Sequence, residues 1–197
     1  MVKSHARMFV PSRYCSHRSS ARSIVSDTRS SASSRERESS RMREELEDAR
    51  AIQLAMLPSS APELGWLDLQ GMSLPATEVG GDYYDFLTVD ANRMAVVVGD
   101  VAGHGVASGL LLSGVRAGLH LLRADLADPR AVVERLNLLV RDSGVSRLFM
   151  SLVVALFDRT TGKVQVVTAG HPPALRFRAA TGQVVILEAS SPPLGTR

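Results

Sequence analysis

Cysteine is almost missing from this chain: Cys15 is the single one in 197 residues. A lone thiol excludes an internal disulfide framework and a cysteine-built zinc site, and makes a reducing cytoplasm the default compartment. No uncharged apolar run of about 18 residues occurs either, which excludes a membrane-spanning helix. Lysine is confined to Lys3 and Lys163, so the positive charge is carried by arginine. What remains is 45% hydrophobic and 22% charged, the composition of a globular protein with a real core.

Charge is unevenly placed. The net charge is +3, but residues 1–43 hold ten Lys/Arg against three acidic residues, leaving an acidic remainder at −4. The basic isoelectric point therefore reports an N-terminal arm and not a nucleic-acid-binding face. That arm, residues 1–40, is rich in serine and arginine without apolar periodicity, and disorder is the expected state. A transit peptide, a polyanion-binding segment and a start codon placed too far upstream, with Met42 opening the ordered chain, are its other readings.

Residues Arg41–Leu57 have a helical pattern. Met42, Leu46, Ala49, Gln53 and Met56 alternate at spacings of four and three, a short coiled-coil-like seam. It either packs on its own domain or forms a homodimer, and the connector after Pro58 extends to residue 65. From Trp66 onward short apolar and alternating runs read as strands. Asp90–Asn92 suits a hairpin turn between YYDFLTV and RMAVVV. The stretch GHGVASGLLLSGVRAGLHLL lengthens into a helix. A second helix follows Asp128-Pro129, with aspartate as N-cap and proline in the first turn. Further strands come after it. Hairpins, two consecutive helices and more hairpins predict an α+β layered sandwich.

Two acidic strand ends lie beside glycines: Gly80-Gly81-Asp82 and VVVGDVAGHG, Val96–Gly105. Carboxylates and carbonyls bind hard cations such as Mg²⁺ or Mn²⁺, and glycine lets backbone approach closely. If the hairpin forms, Asp82 and Asp100 face each other across the ladder; aspartates in ordinary turns are the plain alternative. A phosphate-cradling loop is the rival for the second stretch, and it fails in detail. Ser108 stands where a third glycine belongs, no G-K-[ST] follows, Asp100 would repel phosphate, and a helix at Pro129 replaces the required strand.

Taken together, EVGGDYYDF (Glu78–Phe86), GDVAGHGVASGLLLSGVRAGL (Gly99–Leu119), Leu136-Asn137, AGHPPAL (Ala169–Leu175) and PPLG (Pro192–Gly195) resemble the bacterial PPM-type, protein phosphatase 2C-like serine phosphatases. The subgroup they resemble is that of sporulation stage II protein E and the stress sigma-factor regulators. The resemblance implies a layered αββα sandwich over residues 66–197, incomplete at its C-terminus. It implies two Mn²⁺ or Mg²⁺ ions, with Asp82 and Asp100 as catalytic metal ligands, Asp82 bridging, and the Val101 carbonyl beside them. Water activated by the metals would then attack phosphorus without a covalent intermediate, consistent with the lack of a nucleophile motif. Asp85, His104 and His171 are candidates for supporting or substrate contacts. Asp85 suits a structural role, His104 a solvent-facing turn, and His171 a hydrogen bond that fixes its turn.

The implied substrate is a phosphoserine or phosphothreonine on a regulatory protein, an anti-sigma-factor antagonist. Nucleic acid is not an expected partner. The resembled family also has a later Thr-Asp-Gly-like aspartate and one further aspartate in its metal shell, and no candidate for either lies beyond Glu188. Weak or absent hydrolysis is therefore expected of these 197 residues. The alternative is a phosphatase-like regulatory or dimerisation module without catalysis.

Overall fold

Arginine, glutamate and alanine give up little rotamer freedom in a helix, and adding a turn to an existing helix needs no new nucleus. The structure, a computed structural model, describes residues 4–5, 29–74, 80–144, 148–187 and 191–196, with backbone alone at 4–5 and 29–34. Ser4–His5 (β1) pairs in parallel with Leu67–Asp68 (β2). Helix α1 runs Arg29–Met56, well upstream of the expected Arg41. The arm is thus not disordered throughout; its residues 6–28, like Glu78 and Glu188, lie outside those described. Most of the WLDLQGMSL strand is likewise absent, reduced to β2.

The central sheet is antiparallel in the order β3-β4-β5-β6. Its strands are Asp82–Thr88 (β3), Arg93–Val101 (β4), Met150–Asp158 (β5) and Lys163–Ala169 (β6). Alternation decides which face each side chain takes. Tyr83, Leu87, Ala95, Val97, Leu152 and Val154 form one apolar face, and all belong to a single buried core. That core is closed by Leu112, Val115 and Leu119 of α2 (Val106–Leu121) and by Val132, Leu136 and Val140 of α3 (Pro129–Asp142). Asp128 caps α3 as expected, accepting from the amides of Arg130 and Ala131 at 3.1 and 3.2 Å, a contact worth about 1 kcal/mol. Tyr84 points to the opposite face and is only partly covered, its ring edge-on to Phe86.

The α+β reading holds. Of the expected layers, the described residues form the helical pair, the four-stranded sheet and a separate hairpin of Ala174–Arg178 (β7) with Gln183–Leu187 (β8). In this hairpin Leu175 pairs with Ile186 and Phe177 with Val184, and all four are largely exposed. Asn137 on α3 explains why Leu136-Asn137 accompanies PPLG. Leu136 is in the core, while the Asn137 Oδ1 accepts from the Gly195 amide at 2.8 Å, seating Leu194 against Met150. No helix among the described residues is long and apolar enough to cross a membrane.

Candidate functional site

An antiparallel hairpin brings the start of one strand to the end of the next, so Asp82, which opens β3, lies beside Asp100, the penultimate residue of β4. The register pairs Asp82 with Asp100, and Asp100 with Ser151 on β5. Directly opposed residues share a face, so two carboxylates and a hydroxyl form one row across three strands. His171, just beyond β6, continues the row: its Nδ1 lies 2.9 Å from Ser151 Oγ. Ser151 Oγ also donates to the Asp100 carbonyl at 3.4 Å.

Gly81 determines how closely this end of the hairpin closes. Its carbonyl accepts from the Val101 amide at 3.1 Å. A Cβ at Gly81 would collide with the Val101 carbonyl oxygen and stand 2.9 Å from Asp100 Oδ1. Glycine is needed here for space, since its φ is not positive. Gly103 (φ 94°) and Gly105 (φ 86°) differ, for both take a positive φ in the turn that leads into α2, which favours glycine. His104 stands exposed between them.

Asp82 and Asp100 form no ion pair among the described residues. Both residues are exposed, and partial desolvation at the end of the sheet raises the Asp82 carboxyl above its ordinary value. Partial desolvation also raises Asp100, and the negative charge of Asp82 adds to the rise. Two carboxylates facing each other across the ladder without a counter-charge among the described residues, with the Val101 carbonyl beside Gly81, offer oxygen donors suited to a hard divalent cation. The set is small: no group of three His, Cys, Asp or Glu positioned to hold a metal occurs among the described residues.

Asp85 is on the other face of β3 and does not join the row. It is buried, accepts from the Tyr83 hydroxyl at 2.8 Å, and lies 2.8 Å from His120 Nε2 and 4.0 Å from Arg116 Nε on α2. Burial first, then Asp85, pushes the Tyr83 hydroxyl far above its usual pKa. Asp85→Ala strands that hydroxyl in the core. Urea denaturation should show a loss of about 1–3 kcal/mol, with Mn²⁺ binding per folded molecule unchanged.

His171 is buried, and burial lowers its pKa. Its Nε2 has no hydrogen-bond partner among the described residues. The expected hydrogen bond that fixes its turn is the one to Ser151. Sequence reasoning missed Ser151 itself, although a serine among the apolar residues of β5 was the available signal. It also missed Gln53 as a site residue, although glutamine in an apolar seam is unusual.

The family model for stage II sporulation protein E (SpoIIE) matches residues 90–197. The phosphoserine phosphatase RsbU of Bacillus subtilis (strain 168) is 26% identical over 154 residues, which cover 78% of this chain and 46% of that protein. The chain spans less than half the length of the curated relatives it matches. Among solved structures, the RsbU and RsbW domains of Rv1364c from Mycobacterium tuberculosis match at 31% identity and a TM-score of 0.54, over 62% of this chain and 34% of that one. The SiaA-PP2C domain of Pseudomonas aeruginosa matches at a TM-score of 0.62 and 21% identity, over 80% and 64%; that likeness bears on the fold alone.

Proposed function

The chain belongs to the stage II sporulation protein E (SpoIIE) family of PP2C-type phosphatase domains, and from that premise we propose that it acts as a metal-dependent phosphoprotein phosphatase. Its substrate is phosphoserine or phosphothreonine on a regulatory protein, an anti-sigma-factor antagonist. The observation that carries this reading is the pairing of Asp82 with Asp100 across the β3–β4 ladder, next to Val101.

Asp82, Asp100 and the Val101 carbonyl would hold Mn²⁺ or Mg²⁺. When bound, the cation supplies an activated water near neutral pH and neutralises charge on the phosphoryl oxygens. The chain's own residues do the arranging. Asp82 and Asp100 approach from neighbouring strands, so their separation is fixed by the ladder. Gly81 lets the Val101 carbonyl close in, and Ser151 ties the Asp100 backbone to His171. Asp85 braces β3 from the opposite face through Tyr83 and α2.

Calorimetric titration with MnCl₂, run beside hydrolysis of p-nitrophenyl phosphate, tests the reading. Weak Mn²⁺ binding that vanishes in Asp100→Ala is expected, with low turnover, because ligand count sets affinity at such sites. Absence of Mn²⁺ binding would remove the metal reading. A second reading, a phosphatase-like module without catalysis, is favoured because no three His, Cys, Asp or Glu side chains among the described residues are placed to hold a metal. Robust turnover abolished by Asp82→Ala would exclude it. A homodimer through α1 would use the exposed side around Met42, because Gln53 and Met56 are engaged within the chain.

A further inference from the structure

We propose that Gln53, on α1, is a positioning residue for the carboxylate pair, holding the Gly80 peptide so that Gly81 and Asp82 meet Val101 and Asp100. The inference rests on the reading of Asp82 and Asp100 as metal ligands. Gln53 Nε2 donates to the Gly80 carbonyl at 2.5 Å, and the Gly80 amide donates to Gln53 Oε1 at 3.0 Å. One side-chain amide thus satisfies both polar backbone groups of one residue, as a neighbouring strand would.

The geometry of the ladder shows why this matters. Gly81 turns its carbonyl toward β4, where Val101 donates to it. Successive residues of an extended chain present their polar groups to opposite sides, so Gly80 faces outward from the edge strand. Gln53 takes up that outward side. The two residues before Asp82 are therefore gripped from both flanks, one by β4 and one by α1.

Gln53 can serve as a fixed point because the end of α1 is anchored elsewhere. Arg116 Nε on α2 donates to the Met56 carbonyl at 2.9 Å, and Ser113 Oγ lies 3.5 Å from Met56 Sδ. The Tyr84 hydroxyl donates to the Pro58 carbonyl at 3.1 Å. None of these contacts passes through Gly80. The arrangement also accounts for a glutamine in a seam otherwise formed by Met42, Leu46, Ala49 and Met56: its polar end has a backbone partner across the seam.

The test uses the whole chain, metal-free, with amide hydrogen exchange followed by NMR. Gln53→Leu removes both hydrogen bonds while keeping an apolar, helix-forming side chain in the seam, so α1 stays docked. Protection of the Gly80 and Val101 amides should fall about tenfold or more, in line with lost hydrogen bonds, with Val97 and Val154 unchanged. Gln53→Glu keeps the acceptor and loses the donor, and should fall between. MnCl₂ is then titrated, reading paramagnetic broadening at the Asp82 and Asp100 amides; the Gln53→Leu midpoint should rise about tenfold. Unchanged protection at Gly80 and Val101 overturns the proposal. So does lost protection with an unmoved Mn²⁺ midpoint, which would reduce Gln53 to a structural contact. If the parent chain shows no broadening at all, the metal reading fails, and with it any role for Gln53 in metal binding; the exchange result still decides whether Gln53 holds the loop.

Discussion

Asp82→Asn should raise the melting temperature of the metal-free chain while abolishing the rise that Mn²⁺ gives the parent. The two effects have one cause. Asp82 and Asp100 face each other on neighbouring strands, and though both are exposed, partial desolvation raises both carboxyls, Asp100 further by its neighbour's charge. A carboxyl whose folded pKa exceeds its unfolded value favours the fold while protonated. That contribution is fully present below the ordinary aspartate pKa and is lost as pH rises through the raised folded values. At neutral pH the charged pair therefore weakens the metal-free fold, and asparagine relieves one of the two charges. A bound cation would reverse the sign by neutralising both.

Three variants separate this from a general loss of structure. In scanning fluorimetry Asp100→Asn should behave like Asp82→Asn, whereas Asp85→Asn should lower the melting temperature and keep the Mn²⁺ response. Turnover of p-nitrophenyl phosphate, where measurable, should fall about 10²–10³-fold in either paired-aspartate variant, the scale for removing one electrostatic contributor. The carboxylate pair's contribution should grow as pH falls through the raised folded values toward the ordinary aspartate pKa, so the pH-dependent gain of the metal-free parent should exceed that of Asp82→Asn. A paired-aspartate variant that left the Mn²⁺ response intact would refute the assignment.

Much of this site could be read before any coordinates, because a hairpin is a local object. The turn at Asp90–Asn92 implies the register, and the register implies that Asp82 meets Asp100. The alternation that placed Tyr83 and Tyr84 on opposite faces also puts Asp85 opposite Asp82, which separates a buried brace from a candidate ligand. Contacts that join distant segments were not legible in this way. Ser151 reaches Asp100 only because β5 pairs with β4 in one register among several that its apolar run allows. Gln53 reaches Gly80 only because the end of α1 is tied down by Arg116 and Tyr84. The early start of α1 is not legible for another reason: residues 29–40 hold six serines, which favour non-helical backbone, and only extension from a helix nucleated downstream carries the helix through them.

The adjacent glycines make the sharpest contrast in the molecule, and Gly81→Ala should be far more damaging than Gly80→Ala. Neither has positive φ, so conformational preference does not separate them; space does. At Gly80 an added Cβ has the Asp82 amide nitrogen as its nearest neighbour, at 3.9 Å, an ordinary contact. Alanine there should change stability by less than about 1 kcal/mol, with a contribution from the reduced freedom of the unfolded chain. At Gly81 the added carbon meets the Val101 carbonyl oxygen, the Asp100 carboxylate at 2.9 Å and the Val101 nitrogen at 3.1 Å. Two of these are backbone atoms of the ladder and cannot swing away as a side chain tip could. The strand must separate from β4, stretching the Val101 to Gly81 hydrogen bond, at a cost of about 1–3 kcal/mol. That same displacement moves the Val101 carbonyl and Asp100 away from Asp82, so the Mn²⁺ midpoint should rise about tenfold or more. Chemical denaturation and Mn²⁺ titration of the two variants, side by side, decide it. A Gly81→Ala chain that is destabilised but binds Mn²⁺ as the parent does would remove the Val101 carbonyl from the site, and leave the carboxylate pair to hold the cation alone.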